Sequence, residues 1–342
     1  MRNKFYSIII GATLAVISGQ ALAIDITFGG VVREFIEKDD ITGGTTDSKP
    51  GVKLTSFMSK FNVYAVEPLN DVSPGLKMNL KVETAIFGDS PTTNTTVGGT
   101  AQYRGIVAGG ERFTFGFAND NWSVEAGRDA HYVWKVLRKY GPFQDFLGSP
   151  VGEIHNRQKL RMNNGIYSTY SPAPGLTLVW DHGFSEVADR GDSNAVGFNY
   201  KYQNLEVATA YYNEGYKQTG MIKNNESLVY MATYSFPTDT SLTLLHSRDT
   251  YLDKDSNGTT FLVKQKLDPK VSVSGGVGYR PVDNVTAYFA GADYILSRHV
   301  TLQARVQKVS ADNAITFNSA ADLAGISGKD RLEVGVGMEV KF

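Results

Sequence analysis

The chain has 342 residues, no cysteine, 34 Lys+Arg against 35 Asp+Glu, 42% hydrophobic residues and 35 glycines. That is material for one large domain or two ordinary ones; the near-neutral charge argues against a nucleic-acid partner, and zero cysteine excludes disulfide scaffolds, thiolate metal centres and thiol nucleophiles. Past the N-terminus no apolar run approaches the roughly 18 residues of a membrane helix, a test blind to membrane β-barrels.

The first element is a leader. Arg2 and Lys4 precede an apolar stretch from Phe5 to Ile17, and Ala21-Leu22-Ala23 supplies the small-x-small end that signal peptidase needs, so cleavage is expected after Ala23. Ser7, Gly11 and Thr13 interrupt the apolar stretch and argue against an anchor helix. The domain reading is a signal peptide over 1–23 and one domain over 24–342. Cleavage leaves 32 bases against 35 acids, a formal charge of −3, on an exported chain.

From Ile24 onward apolar residues at i, i+3, i+4 and i+7 are almost absent, whereas alternation at i, i+2 and i+4 recurs throughout. Leu76, Met78, Leu80 and Val82 alternate with Lys77, Asn79, Lys81 and Glu83. Phe113, Phe115 and Phe117 alternate with Arg112, Thr114 and Gly116, and Leu332 to Phe342 repeats the pattern. A soluble sandwich also alternates, so the connectors discriminate. Those around 118–121, 171–175, 236–239 and 267–270 are short and rich in turn formers, whereas long polar ones are expected at 37–49, 88–110, 129–158, 213–226, 248–258 and 310–330. Short turns on one rim and long loops on the other is the plan of an outer-membrane barrel, which must close because open edges leave backbone groups unpaired in lipid.

Strands begin near residues 24, 54, 76, 111, 122, 160, 176, 195, 205, 227, 241, 259, 271, 285, 299 and 331. The fold class is therefore all-β, a sixteen-stranded antiparallel transmembrane β-barrel with short periplasmic turns and long external loops. That strand number leaves an aqueous lumen. Tyr200, Tyr202, Tyr230, Tyr234 and Phe236 are candidates for interfacial girdles.

The chain resembles the general diffusion porins of Gram-negative outer membranes, most closely the branch known from Neisseria and β-proteobacteria. The resemblance rests on Asp25-Ile26-Thr27-Phe28-Gly29-Gly30, on the run Gly75 to Glu83, and on Ala126-Gly127-Arg128-Asp129 before the longest internal loop. It rests further on Arg161 to Tyr167 running to Ser171-Pro172, on Gly291 to His299, and on the terminal Phe342, which is similar to the barrel assembly signal. It implies a homotrimer in outer-membrane lipid and lipopolysaccharide, each barrel a pore for passive diffusion of small hydrophilic solutes and ions. The third external loop, here 129–158, would fold inward to narrow it, with basic wall residues facing acidic loop residues.

On that basis Lys60, Arg112 and Arg161 correspond to the family's basic wall cluster, with Lys77 and Lys81 as further lumen-facing bases. Parity supports Arg112 and Arg161 independently; for Lys60 it is ambiguous, because Met58, Asn62 and Tyr64 share its side. Gln144-Asp145-Phe146-Leu147-Gly148 makes Asp145 the leading acid, and Glu153 is second. Lys135, Arg138 and Lys139 make the loop more basic than in cation-preferring relatives.

Other chemistry finds less support. Asp253 to Gly258 imitates half an EF-hand loop, but Lys264 stands where the bidentate glutamate belongs, and an external hairpin is the better reading. The five histidines show no metal spacing, and no cofactor is implied. Asp181, His182 and Ser185 are neighbours, but adjacent strand residues face opposite ways, so no triad is expected and the chain is read as no enzyme. The alternative reading is a surface barrel with an adhesin or structural role and no open channel; a barrel enzyme is third.

Overall fold

An alternating chain satisfies two environments only when extended, since successive side chains then point to opposite faces of a sheet. The computed structural model describes residues 24–44, 52–56, 59–86, 95–97, 100–102, 107–140, 154–155, 161–185, 190–218, 221–251, 254–316 and 327–342. The expected leader, residues 1–23, lies outside these residues, as do Asp145 and Glu153.

The strands are β1 Asp25–Thr42, β2 Lys53–Ser56, β3 Lys60–Pro68, β4 Lys77–Ile86, β5 Thr95–Val97, β6 Thr100–Gln102, β7 Val107–Ala118, β8 Trp122–Ala130, β9 Arg161–Ala173 and β10 Leu176–Gly183. They continue as β11 Arg190–Tyr202, β12 Leu205–Gln218, β13 Met221–Ser235, β14 Thr240–Tyr251, β15 Lys254–Lys266, β16 Val271–Arg280, β17 Val285–Ile295, β18 Val300–Thr316 and β19 Ser327–Lys341. Among the described residues one α-helix, α1, spans Tyr132–Tyr140. β5 and β6 pair only with each other; the other seventeen form one antiparallel sheet. Because β2 and β3 lie against the same strand, at Glu34↔Ser56 and Val31↔Lys60, they are two parts of one barrel strand, and the barrel has sixteen.

The seam closes between β1 and β19, from Val31↔Lys341 to Thr42↔Asp330. The last residue completes it, with Gly30 donating to the Phe342 carbonyl at 2.9 Å and Phe342 donating back at 3.2 Å. Seven connectors mark one rim: 69–76, 119–121, 174–175, 203–204, 236–239, 267–270 and 296–299.

The sheet is apolar outside and polar inside. Phe113, Phe115 and Phe117 on β7, Trp180 on β10 and Val334, Val336 and Met338 on β19 are exposed, while their polar neighbours Thr114, Asp181, Glu333 and Glu339 are buried. The girdle candidates Tyr200, Tyr202, Tyr230, Tyr234 and Phe236 all lie on the exposed outer face. Such an inversion is stable only in an apolar surrounding.

Several expected loops prove to be strand. β1 runs to Thr42, β12 and β13 leave only 219–220 between them, β14 and β15 leave only 252–253, and β18 continues to Thr316. These segments are polar enough to read as loop, yet their backbones go on pairing as hairpins beyond the apolar belt; Asn213 donates across one of them to Glu226 at 3.1 Å. The connector between β16 and β17 is four residues containing a 3-10 turn at Val282–Asn284, so the second rim is not uniformly long. The EF-hand-like run lies largely in β15, where Asp255 accepts from Thr250 at 2.7 Å across the hairpin.

Candidate functional site: the lumen beside the inward helix

The loop after β8 turns into the barrel as α1. Val133, Val136, Leu137 and Tyr140 stand at i, i+3, i+4 and i+7, the one clear helical pattern in a chain otherwise of period two. His131 opens the helix, its Nδ1 accepting from the Trp134 N–H at 3.3 Å while its ring stacks on Tyr212 with centroids 4.3 Å apart. The Asp181 carboxylate on β10 accepts from the Tyr132 N–H. Arg138 and Lys139 end the helix, where the dipole favours cations.

Val133, Val136 and Leu137 are buried against a lumen pad of Ala195, Ala208, Ala210, Val229, Met231 and Leu245 on β11 to β14. Small residues let the helix approach the wall: a Cβ on Gly197 would stand 2.8 Å from the Tyr132 ring. Burial pushes the Tyr132 hydroxyl up to about 12, so it stays neutral near neutrality. Each of the three apolar side chains contributes about 1.5–3 kcal/mol on burial.

Farther along the same loop, Ile154 and His155 seat on the wall of β14 to β18. Ile154 packs with Ile41, Val285, Ala287, Val309 and Ile315, and the two His155 ring nitrogens contact the Ser247 hydroxyl at 2.9 Å and the Thr260 hydroxyl at 2.8 Å. Gly258 makes room, since a Cβ there would collide with the Ile154 carbonyl oxygen. The loop is thus held against the inner wall at two separate pads.

Beside α1 lies a lumen cavity of about 340 Å³ lined by alternating charges. Lys81 on β4 pairs with Glu125 on β8; Glu125 also meets Arg112 on β7 at 3.3 Å and accepts from Thr114 at 2.7 Å. Arg112 reaches Asp129 at 3.2 Å, and Asp129 meets Lys135 of α1 at 2.9 Å. The Lys135 ammonium stands 5.0 Å from the centroid of the Tyr167 ring. The Tyr167 hydroxyl accepts from the Asp129 N–H at 2.8 Å and faces the Met162 carbonyl at 2.9 Å. At the far end of α1, Lys139 bridges to Glu206 on β12 at 2.8 Å.

Of the residues singled out in the sequence, Lys81 and Arg112 meet in this chain. Lys60 is adjacent, paired at 2.9 Å with Glu83, which also accepts from Tyr64 at 2.7 Å; the ambiguous parity resolves inward. Lys77 shares the inward face of β4 but lies apart, exposed at the short-turn rim. Arg161 opens β9 opposite Ala130, and its side chain lies outside the described residues. The described arm of the loop brings bases to the lumen, and the carboxylates they meet stand on the wall.

Lys135 was singled out as a base of the loop, whereas Glu125 and Asp129 were not among the candidate constriction residues. The alternation of Trp122, Val124 and Ala126 marks Glu125 as inward, whereas the register shift between Gly127 and Asp129 hides Asp129. A second inward cluster also escaped notice: across the seam Arg331 bonds Asp39 at 2.8 Å and Arg33 bonds Glu339 at 2.6 Å, and within β19 Arg331 also bonds Glu333 at 2.8 Å. Asp181 and His182 face opposite sides of β10: Asp181 lines the lumen cavity, whereas His182 stacks on the outward Trp180. Among the described residues no three His, Asp or Glu converge as a metal site.

Comparison with known structures returns outer-membrane proteins among its matches. The anion-selective porin from Comamonas acidovorans matches 93% of this chain and 100% of its own at a TM-score of 0.75 and 16% identity. OmpT of Vibrio cholerae in its trimer form matches 94% and 100% at 0.66 and 14%, and the outer-membrane channel DcaP of Acinetobacter baumannii 93% and 97% at 0.62 and 13%. At these identities the likeness is one of fold. A search of curated proteins returns no match. The family profile of Gram-negative porins matches residues 11–314, most of the chain. A closed sixteen-stranded barrel, apolar outside and charged within, together with that match, makes the chain a member of the Gram-negative porin family, an outer-membrane diffusion channel.

Proposed function

We propose that the channel passes small hydrophilic solutes and ions passively, with anions preferred, and that its constriction lies between α1 and the wall carrying Lys60, Lys81 and Arg112. The observation that carries this reading is the basic arm inside the lumen: residues 132–140 hold Lys135, Arg138 and Lys139 and no carboxylate. In a narrow passage between low-dielectric walls, the sign of the lining charge sets which ion is enriched. The alternating ion pairs below the helix add a local field that orients dipolar solutes. Arg161 belongs to the same reading through the family resemblance, and so do Asp145 and Glu153 as opposing acids.

The wider reading is a homotrimer, exported by cleavage of residues 1–23, seated in outer-membrane lipid and lipopolysaccharide, with no cofactor and no reaction step. Its support is the family, the trimer form of one structural neighbour and the selectivity named for another. The reversal potential of purified protein in a planar bilayer under a KCl gradient tests it. Stepwise ohmic currents with an anion-preferring potential are expected; a cation-preferring potential would move the governing charges to carboxylates, and silence from folded protein would sink the channel.

A further inference from the structure

The lumen carries a second set of bases near the short turns, one of which, Lys201, stands opposite the Glu206 that Lys139 of α1 holds. Lys77 on β4, Lys201 on β11, and Lys264 and Lys266 on β15 share the inward parity of Lys81, Asn199 and Thr260. All four are exposed and lie beside the connectors 69–76, 203–204 and 267–270. Their strands are the third, eighth and twelfth of the sixteen, so the four ammonium groups are spread around the mouth.

Charge balance separates this rim from the site beside α1. There, Lys60, Lys81, Arg112, Lys135 and Lys139 each meet a carboxylate. At the rim, the inward carboxylates are engaged by other bases: Glu206 by Lys139, Asp293 by Arg305, and Glu339 by Arg33 and Lys341. Among the described residues Asp25, exposed at the start of β1, is the remaining acid of inward parity; Glu67, buried on β3 next to the 69–76 connector, has the opposite parity, and Asp71, Asp120, Asp239 and Asp268 sit in the turns themselves. Lys77, Lys201, Lys264 and Lys266 form no ion pair with a described residue.

We propose that this mouth is a binding site for multivalent oxyanions, phosphate-bearing solutes above all, loaded from the short-turn side of the pore. The inference rests on the open-channel reading above. Four like charges around a water-filled opening bounded by low-dielectric walls concentrate polyanions far more than chloride, because the attraction scales with the charge of the solute. A Debye length of about 8 Å at physiological ionic strength confines the effect to the mouth.

Inorganic pyrophosphate is the probe, added to one side of a single channel conducting KCl. The chain has no cysteine, so Asn257→Cys on the opposite hairpin, labelled with a bulky thiol reagent, reports orientation. The current is expected to fall at about tenfold lower pyrophosphate from the short-turn side than from the other. Combining Lys77→Gln, Lys201→Gln, Lys264→Gln and Lys266→Gln removes the difference, and the four matching Lys→Arg changes keep it. Normal KCl currents with equal inhibition from both sides, or with none, overturn this inference alone. Absence of KCl current from the folded barrel overturns the channel reading and this site with it.

Discussion

Arg112 is the hub of the charged chain, half-buried on β7 and shared between Glu125 at 3.3 Å and Asp129 at 3.2 Å. Replacing it by alanine leaves Lys81 on the first acid and Lys135 on the second, so the lining loses one positive charge while both carboxylates stay partnered. A unit charge about 7 Å from a permeating ion in water is worth about 0.6 kcal/mol, roughly threefold up for one sign of ion and threefold down for the other, so about sevenfold in relative permeability. Arg112→Ala is therefore expected to shift the reversal potential toward cations by about that ratio, with less effect in high salt. An unchanged potential would place the governing charge elsewhere. Residue parity made Lys81 and Arg112 legible, because each is out of phase with outward apolar neighbours, Leu80 and Val82 for the first and Phe113 for the second. It did not reveal that Glu125 and Asp129 share these bases, since pairing across β4, β7 and β8 depends on register, and β8 shifts register near Gly127.

At the scale of the element, the described parts of the third loop, α1 and the pair Ile154-His155, are joined to the wall by different chemistry. α1 is held by apolar burial, which pH does not touch. The Ile154-His155 contact is held in part by an imidazole enclosed between Ser247 and Thr260, and burial pushes its pKa down to about 3. The groups meeting it are the Ser247 and Thr260 hydroxyls and the backbone of Gly258, with His246 as the charged influence named among the described residues. An imidazole freed from the wall titrates near 6.5. The seated form is thus fully stable above about pH 6.5 and loses roughly 1.4 kcal/mol for each unit below it until the seated group itself titrates. Closures or substates are expected to grow more frequent as pH falls from 7 to 4, and His155→Gln, which keeps a hydrogen-bonding side chain without the titration, is expected to flatten that dependence. If the variant and the parent respond alike, the pH sensor lies elsewhere. The loop's internal structure was poorly legible: its helical spacing covers only two turns inside polar sequence, and His155 has no pattern of its own because its socket comes from strands about a hundred residues downstream.

For the whole molecule, strand number and the inside-out pattern were legible because each strand repeats the same two-residue alternation and each short turn carries its own turn formers. The reach of the hairpins was not, because polarity marks departure from the apolar belt and says nothing of where backbone pairing stops. A closed barrel also has a requirement no single strand reveals: its first and last strands must meet in one register, or two edges face lipid unpaired. Here they meet at Gly30 and Phe342, whose ring occupies the space where a side chain on Gly30 would stand; an added Cβ would lie 2.6 Å from both the Lys60 carbonyl oxygen and the Phe342 ring. The Lys60 backbone cannot yield without disturbing the β1–β3 pairing, so Gly30→Val strains both neighbours of β1 at once. The expected outcome is a lower yield of folded barrel, read as loss of the heat-modifiable form on a gel. Pairing Gly30→Val with Phe342→Ala frees the ring side but leaves the Lys60 collision, so rescue should be partial; full rescue would mean that the ring alone sets the closure of the seam.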